Sequence, residues 1–130
     1  MLGIVGTGID IVEVARIEGV LERHGDRFLR RVYTEREIEY ANSGGAPAEH
    51  LAGRFAVKEA VFKALGTGWA GRIHWRDVEI RSRPTGEPEV RLSGGARRRA
   101  DEEGIRRIHV SISHTGAHAV AHAIAEAGCA

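Results

Sequence analysis

The chain has 130 residues, 19 Lys and Arg against 18 Asp and Glu, and a formal net charge of +1. That length suits one domain with one core, or one protomer of a small oligomer, and the near-neutral charge argues against a general nucleic-acid coat. The lone Cys129 excludes an intrachain disulfide framework and a cysteine-only metal cluster, and no apolar run approaches membrane-spanning length. The opening MLGIVGTGID has no basic region before its apolar stretch, so a cytoplasmic location is the expectation. Seventeen of the cations are arginines, a scatter that coding bias explains; the two lysines, Lys58 and Lys63, both fall in RFAVKEAVFK. Where arginine is the default cation, a retained lysine suggests a site wanting a compact point charge that a planar fork cannot copy.

Residues 3–12, GIVGTGIDIV, read as a Gly-rich first strand, and from Glu13 the spacing of Val14, Ile17 and Leu21 is helical up to Gly25. A short apolar stretch around Phe28, Leu29, Val32 and Tyr33 follows. Thr34 and Glu37 then form a capping box that opens a short helix toward Ala41. Residues 42–48 read as a loop, with Pro47 suited to a first helical turn. The longest helix runs from Ala48 to Leu65 and stops at Gly66. Residues 77–83 alternate as a strand, PTGEP turns, and EVRLS returns. A helix over about 94–103 precedes two last strands, 108–113 and 118–125. Ile108, Val110 and Ile112 face one way in the first of these, and His109, Ser111 and Ser113 the other. The order β-α-α-α-β-β-α-β-β predicts an α+β fold with a largely antiparallel sheet and one long packed helix.

Several side chains could carry chemistry. Asp10 interrupts an apolar strand and turns away from the face of Ile9 and Ile11. It reads either as an outward or capping aspartate or, beside Gly6 and Gly8, as a group at a point of close backbone or ligand approach. Glu59 and Lys63 are i and i+4 on the long helix, which alone suggests an ordinary salt bridge. Flanking Ala52, Ala56 and Ala60 would admit another chain or a ligand, Arg54 and Lys58 lie one turn earlier, and Gly66-Thr67-Gly68 could cradle an anion. Asp10, Glu59 and Lys63 together would suit Mg²⁺ and phosphate, although spacing cannot bring Asp10 to Glu59. The histidines 109, 114, 118 and 122 lack the spacing and cysteine partners of a zinc site, but His114 ends a strand at a turn. Arg16, Arg23, Arg27, Arg30 and Arg31 cluster within and after the first helix, which fits a folded acidic partner better than nucleic acid.

GTGIDIVEVARI, AGRFAVKEAVFKALGTG and HVSISHT, in this order and spacing, resemble the holo-[acyl-carrier-protein] synthases, the small homotrimeric branch of the 4'-phosphopantetheinyl transferases. The resemblance runs over nearly the whole chain. It implies a 4'-phosphopantetheinyl transferase-like fold and transfer of the phosphopantetheine arm of coenzyme A to a serine of apo acyl carrier protein. Adenosine 3',5'-bisphosphate would be released. Carried over by position, Asp10 and Glu59 would hold Mg²⁺, Lys63 would contact the pyrophosphate, and His114 would help to hold the CoA phosphates. Arg54 and Gly66, Thr67 and Gly68 would lie along the CoA nucleotide, while Lys58 would only support the helix or touch CoA from its edge. Arg16 and Arg27 would face the acidic carrier protein. The resemblance also implies sites between subunits of a homotrimer, expected here with Asp10 and His114 from one chain and Glu59 and Lys63 from the next. Serine deprotonation would fall to Glu59 or to a metal-bound water near Asp10. The loop NSGGAPAEH lacks the basic residues some relatives place near the adenosine 3'-phosphate, and WAGRIHW is unusually aromatic.

Overall fold

The computed structural model describes residues 3–66 and 73–128. Thr67, Gly68, Trp69 and Cys129, all singled out above, lie outside the described residues. The elements are β1 (Gly3–Glu13), α1 (Val14–His24), α2 (Asp26–Val32), α3 (Glu35–Asn42), α4 (Pro47–Leu65), β2 (Val78–Ser82), β3 (Pro88–Leu92), α5 (Gly94–Glu102), β4 (Ile105–His114) and β5 (His118–Ala127). A single 3₁₀ turn, Trp75–Asp77, leads into β2. The α+β expectation is met, with two differences. The apolar stretch before Tyr33 is a helix, α2, and the strands form two sheets, an antiparallel β1-β5-β4 and a β2-β3 hairpin. No helix among the described residues is long and apolar enough to cross a membrane.

The caps forecast from sequence are where they were expected. Thr34 Oγ1 accepts from the Glu37 N–H at 3.3 Å while Glu37 Oε1 accepts from the Thr34 N–H at 2.9 Å. Pro47 occupies the first turn of α4, and Gly66 ends it at φ 75°, donating its N–H to the carbonyls of Phe62 and Lys63.

Helix α4 is the centre of the molecule and lies across β1 and β5. Small residues make that approach possible. The inward face of β5 is all alanine, Ala119, Ala121, Ala123, Ala125 and Ala127, and every one is buried. On β1 the inward positions are glycines: a Cβ on Gly6 would stand 2.1 Å from the Ala64 carbonyl oxygen, and one on Gly8 1.9 Å from that of Ala60. The close approach that the glycines and the helix alanines foreshadowed is therefore made by the chain's own strand and helix, and neither a ligand nor another chain takes that space. After Gly8, the next inward position on β1 is Asp10, so the tight packing ends on a carboxylate aimed at α4. The outward face of β1 carries Ile4, Ile9 and Ile11, all more than 60 % exposed.

Candidate active site

Asp10 is opposite Ala121 in the ladder, and alternation directs it to the helix side of the sheet. There the Lys63 ammonium meets it, with Nζ 3.3 Å from Asp10 Oδ1, and donates to the Ile9 carbonyl at 2.7 Å. The ordinary i, i+4 salt bridge is not what forms: Lys63 turns to β1 instead of to Glu59. Lys63 stays half exposed and the Asp10 side chain 19 % exposed, so the pair is open to solvent and to ligands.

Glu59 stands at the same junction. Partial burial raises its carboxyl above the usual carboxylate range, the negative charge of Asp10 raises it further, and Lys63 and Arg16 partly offset this. Two neighbouring carboxylates, with one ammonium and one guanidinium beside them, form a site that could hold a hard cation. Among the described residues no third His, Cys, Asp or Glu joins them as a metal cluster. Remaining ligands to an ion held there would be phosphate oxygens and water.

One chain therefore brings Asp10, Glu59, Lys63 and the start of α1 together. This corrects the expected division in which Asp10 came from one subunit and Glu59 and Lys63 from the next; the Gly6/Gly8 contact with α4 is the physical reason. His114 is not part of the cluster. It pairs with Ala119 at the far end of β4, which itself pairs with Val12, so it is two strands across from β1, roughly 10 Å by strand spacing.

Arg54 precedes Glu59 by five residues, about 140° around the helix, and points elsewhere. Its guanidinium lies 4.0 Å over the Tyr40 ring and donates to Ser82 Oγ at 3.2 Å, and its Nε is buried without a hydrogen-bond partner among the described residues. Lys58 is completely buried, so of its two expected roles, support of the helix and contact with the edge of CoA, burial fits the first and not the second. Gly66 is exposed at the end of α4.

Arg16 and Arg27 are exposed on α1 and α2. Arg16 also borders an apolar groove of about 460 Å³ between α1, α2 and α4, walled by Ile17, Phe28, Phe55 and Trp75, with Arg31 on its rim. Sequence reasoning assigned Trp75 nothing. Its ring stacks on Phe55 with centroids 4.9 Å apart, and aromatic residues at 55, 62 and 75 were the available signal.

A profile of the 4'-phosphopantetheinyl transferase superfamily matches residues 6–124. The holo-[acyl-carrier-protein] synthase of Koribacter versatilis is 50 % identical over 123 residues, covering 95 % of this chain and 98 % of that protein. The crystal structure of the Neisseria meningitidis holo-[acyl-carrier-protein] synthase superposes with a TM-score of 0.88 at 35 % identity, covering 95 % of this chain and 99 % of that one. The Helicobacter pylori synthase, solved in complex with coenzyme A, gives 0.81 at 34 % identity, covering 92 % and 98 %. The chain belongs to the 4'-phosphopantetheinyl transferase superfamily, among its holo-[acyl-carrier-protein] synthases.

Proposed function

We propose that this chain moves the 4'-phosphopantetheine arm of CoA onto a serine of an apo acyl carrier protein in fatty acid biosynthesis, with Mg²⁺ as its metal. The observation that carries the reading is the convergence of Asp10, Glu59 and Lys63 at the β1–α4 junction. Asp10 and Glu59 would hold the ion, since a hard cation at the two carboxylates would relieve their mutual repulsion. When bound there, Mg²⁺ would supply charge neutralisation on the phosphate oxygens. The serine oxygen bonds to the pantetheine-side phosphorus, the bond from that phosphorus to the nucleotide breaks, and adenosine 3',5'-bisphosphate departs. Lys63, half exposed at the junction, offers an N–H group to the pyrophosphate as charge builds on the leaving side. Glu59 is suited to accept the serine proton, since burial and the charge of Asp10 increase its affinity for one.

Arg16 beside Glu59 and Arg27 on α2 suit an acidic carrier, and the apolar groove next to Arg16 suits the buried side of a docked helix. Docking there sets a carrier serine next to Glu59. His114 and Arg54 are not brought into this cluster within one chain, and in this reading they serve a neighbouring chain's CoA phosphates and nucleotide. The exposed Ile4, Ile9 and Ile11 on the outer sheet face support the homotrimer that this requires. In this reading the chain works in the cytoplasm, together with CoA and the carrier protein.

The test is direct. Purified protein incubated with Mg²⁺, CoA and an apo carrier should add one phosphopantetheine mass to the carrier, and chelation by EDTA should stop it. No mass change across a panel of apo carriers would refute the reading.

A further inference from the structure

Lys58 and Glu37 form a buried cluster one residue before Glu59, and the proposed chemistry makes no use of it. Both side chains are wholly shielded from solvent, with Lys58 Nζ 2.9 Å from Glu37 Oε1. The ammonium also donates to the carbonyl of Trp75 at 3.2 Å and to that of Val78. Three N–H groups thus meet three acceptors from two different segments. Glu37 is as fully engaged: Oε1 accepts from the Thr34 N–H at 2.9 Å and Oε2 from the Ile80 N–H at 2.9 Å. One ion pair therefore ties the start of α3, the 3₁₀ turn and β2 to α4.

An ion pair is a poor way to gain stability at such a place, because desolvating two charges roughly cancels their attraction; apolar residues of similar volume do as well or better. What the pair does supply is position. The backbone it grips is that of Trp75, whose ring stacks on Phe55 and walls the groove beside Arg16. The three acceptors approach a compact ammonium from different directions, a geometry that a planar guanidinium does not offer. This accounts for a lysine where the chain otherwise uses arginine.

We propose that Lys58, locked by Glu37, is a positioning residue that fixes Trp75 and so shapes the groove on which the acyl carrier protein docks. The inference rests on the transferase reading, and its failure is separable from that of the reading: wild-type protein that transfers nothing defeats the reading, whereas active protein with unaffected variants defeats only this proposal.

The experiment is steady-state kinetics on the Glu37→Leu/Lys58→Met double variant, which removes both charges at similar volume, with unfolding curves alongside. The expected result is a folded protein whose KM for the carrier rises at least fivefold while its KM for CoA stays within twofold. Trp75→Ala should raise the carrier KM similarly, and adding it to the double variant should change that constant less than twofold further, because both act through one element. Lys58→Arg should not restore the wild-type value. An unchanged carrier KM, or a loss shared equally by both substrates, overturns the proposal. Hydrogen exchange on wild-type protein decides independently of whether any variant folds: carrier binding should slow the amides of residues 75–78 at least tenfold, and unaltered exchange overturns the proposal.

Discussion

Replacing Gly8 by alanine tests how Asp10 and Lys63 come to be where they are. The added Cβ would stand 1.9 Å from the Ala60 carbonyl oxygen and 2.9 Å from Lys63 Cβ. Reaching ordinary contact at 3.4 Å requires β1 and α4 to part by about 1.5 Å at that point. Both obstacles belong to packed elements, the first to helix backbone, so neither can swing aside. Overpacking of this kind costs about 1–3 kcal/mol, and the severity of the clash places it near the top of that range, a fall in Tm of about 10 °C for a domain this size. Asp10 and Lys63 flank the clash, so the parting also opens the 3.3 Å contact between them. A displacement on the order of 1 Å at reacting groups lowers kcat/KM by roughly 100-fold. The assay is carrier modification at fixed CoA and Mg²⁺, with thermal unfolding of the same preparation. Gly44→Ala is the control, because a Cβ there meets nothing within 4 Å. If Gly8→Ala matches Gly44→Ala in both Tm and turnover, the claim that strand–helix contact builds the site is wrong.

Two further outcomes follow from the same geometry. Glu59 has a higher proton affinity in the folded chain than in the unfolded one, because of burial and then Asp10. The folded state therefore binds more protons between the two pKa values, and stability falls as pH rises through that window. Glu59→Gln should accordingly raise the Tm of metal-free protein at pH 7, with the gain disappearing below the ordinary carboxyl value of 4.5. Added Mg²⁺ should raise the Tm of wild type but not of this variant, and differential scanning calorimetry across pH with and without Mg²⁺ reads both effects. The double substitution Ile9→Arg/Ile11→Glu should convert the proposed trimer to monomers by light scattering and lower turnover more than tenfold, while leaving each chain folded, since both side chains are more than 60 % exposed.

Much of the fold is legible in local chemistry. The Thr34/Glu37 capping box, Pro47 at a helix start, Gly66 at its end and the alternation along β4 are short-range signals, and each element lies within a few residues of where they put it. Helix α2 escaped because DRFLRRV is seven residues long and spans barely two turns, too short for a period to emerge. The residue types of the site, Asp10, Glu59 and Lys63, were also legible. Their meeting was not, because it depends on Gly6 and Gly8 admitting α4, a contact between residues more than fifty positions apart. For the same reason the division between subunits was drawn in the wrong place. Lys58 was hidden in another way: nothing in RFAVKEAVFK distinguishes a lysine facing the interior from one facing solvent, since nearly every side of α4 is buried.

Subunit complementation tests the central claim, that one chain supplies Asp10, Glu59 and Lys63 together and a neighbour supplies His114. Asp10→Ala, Glu59→Ala and His114→Ala chains are each prepared inactive, then co-refolded in pairs at equal amounts and assayed for carrier modification. The Asp10→Ala/Glu59→Ala mixture should stay inactive, since every site lacks one carboxylate. The Asp10→Ala/His114→Ala mixture should recover about a quarter of wild-type turnover, the fraction of randomly assembled neighbours that pairs an intact cluster with an intact histidine. Recovery in the first mixture, or none in the second, would contradict the account.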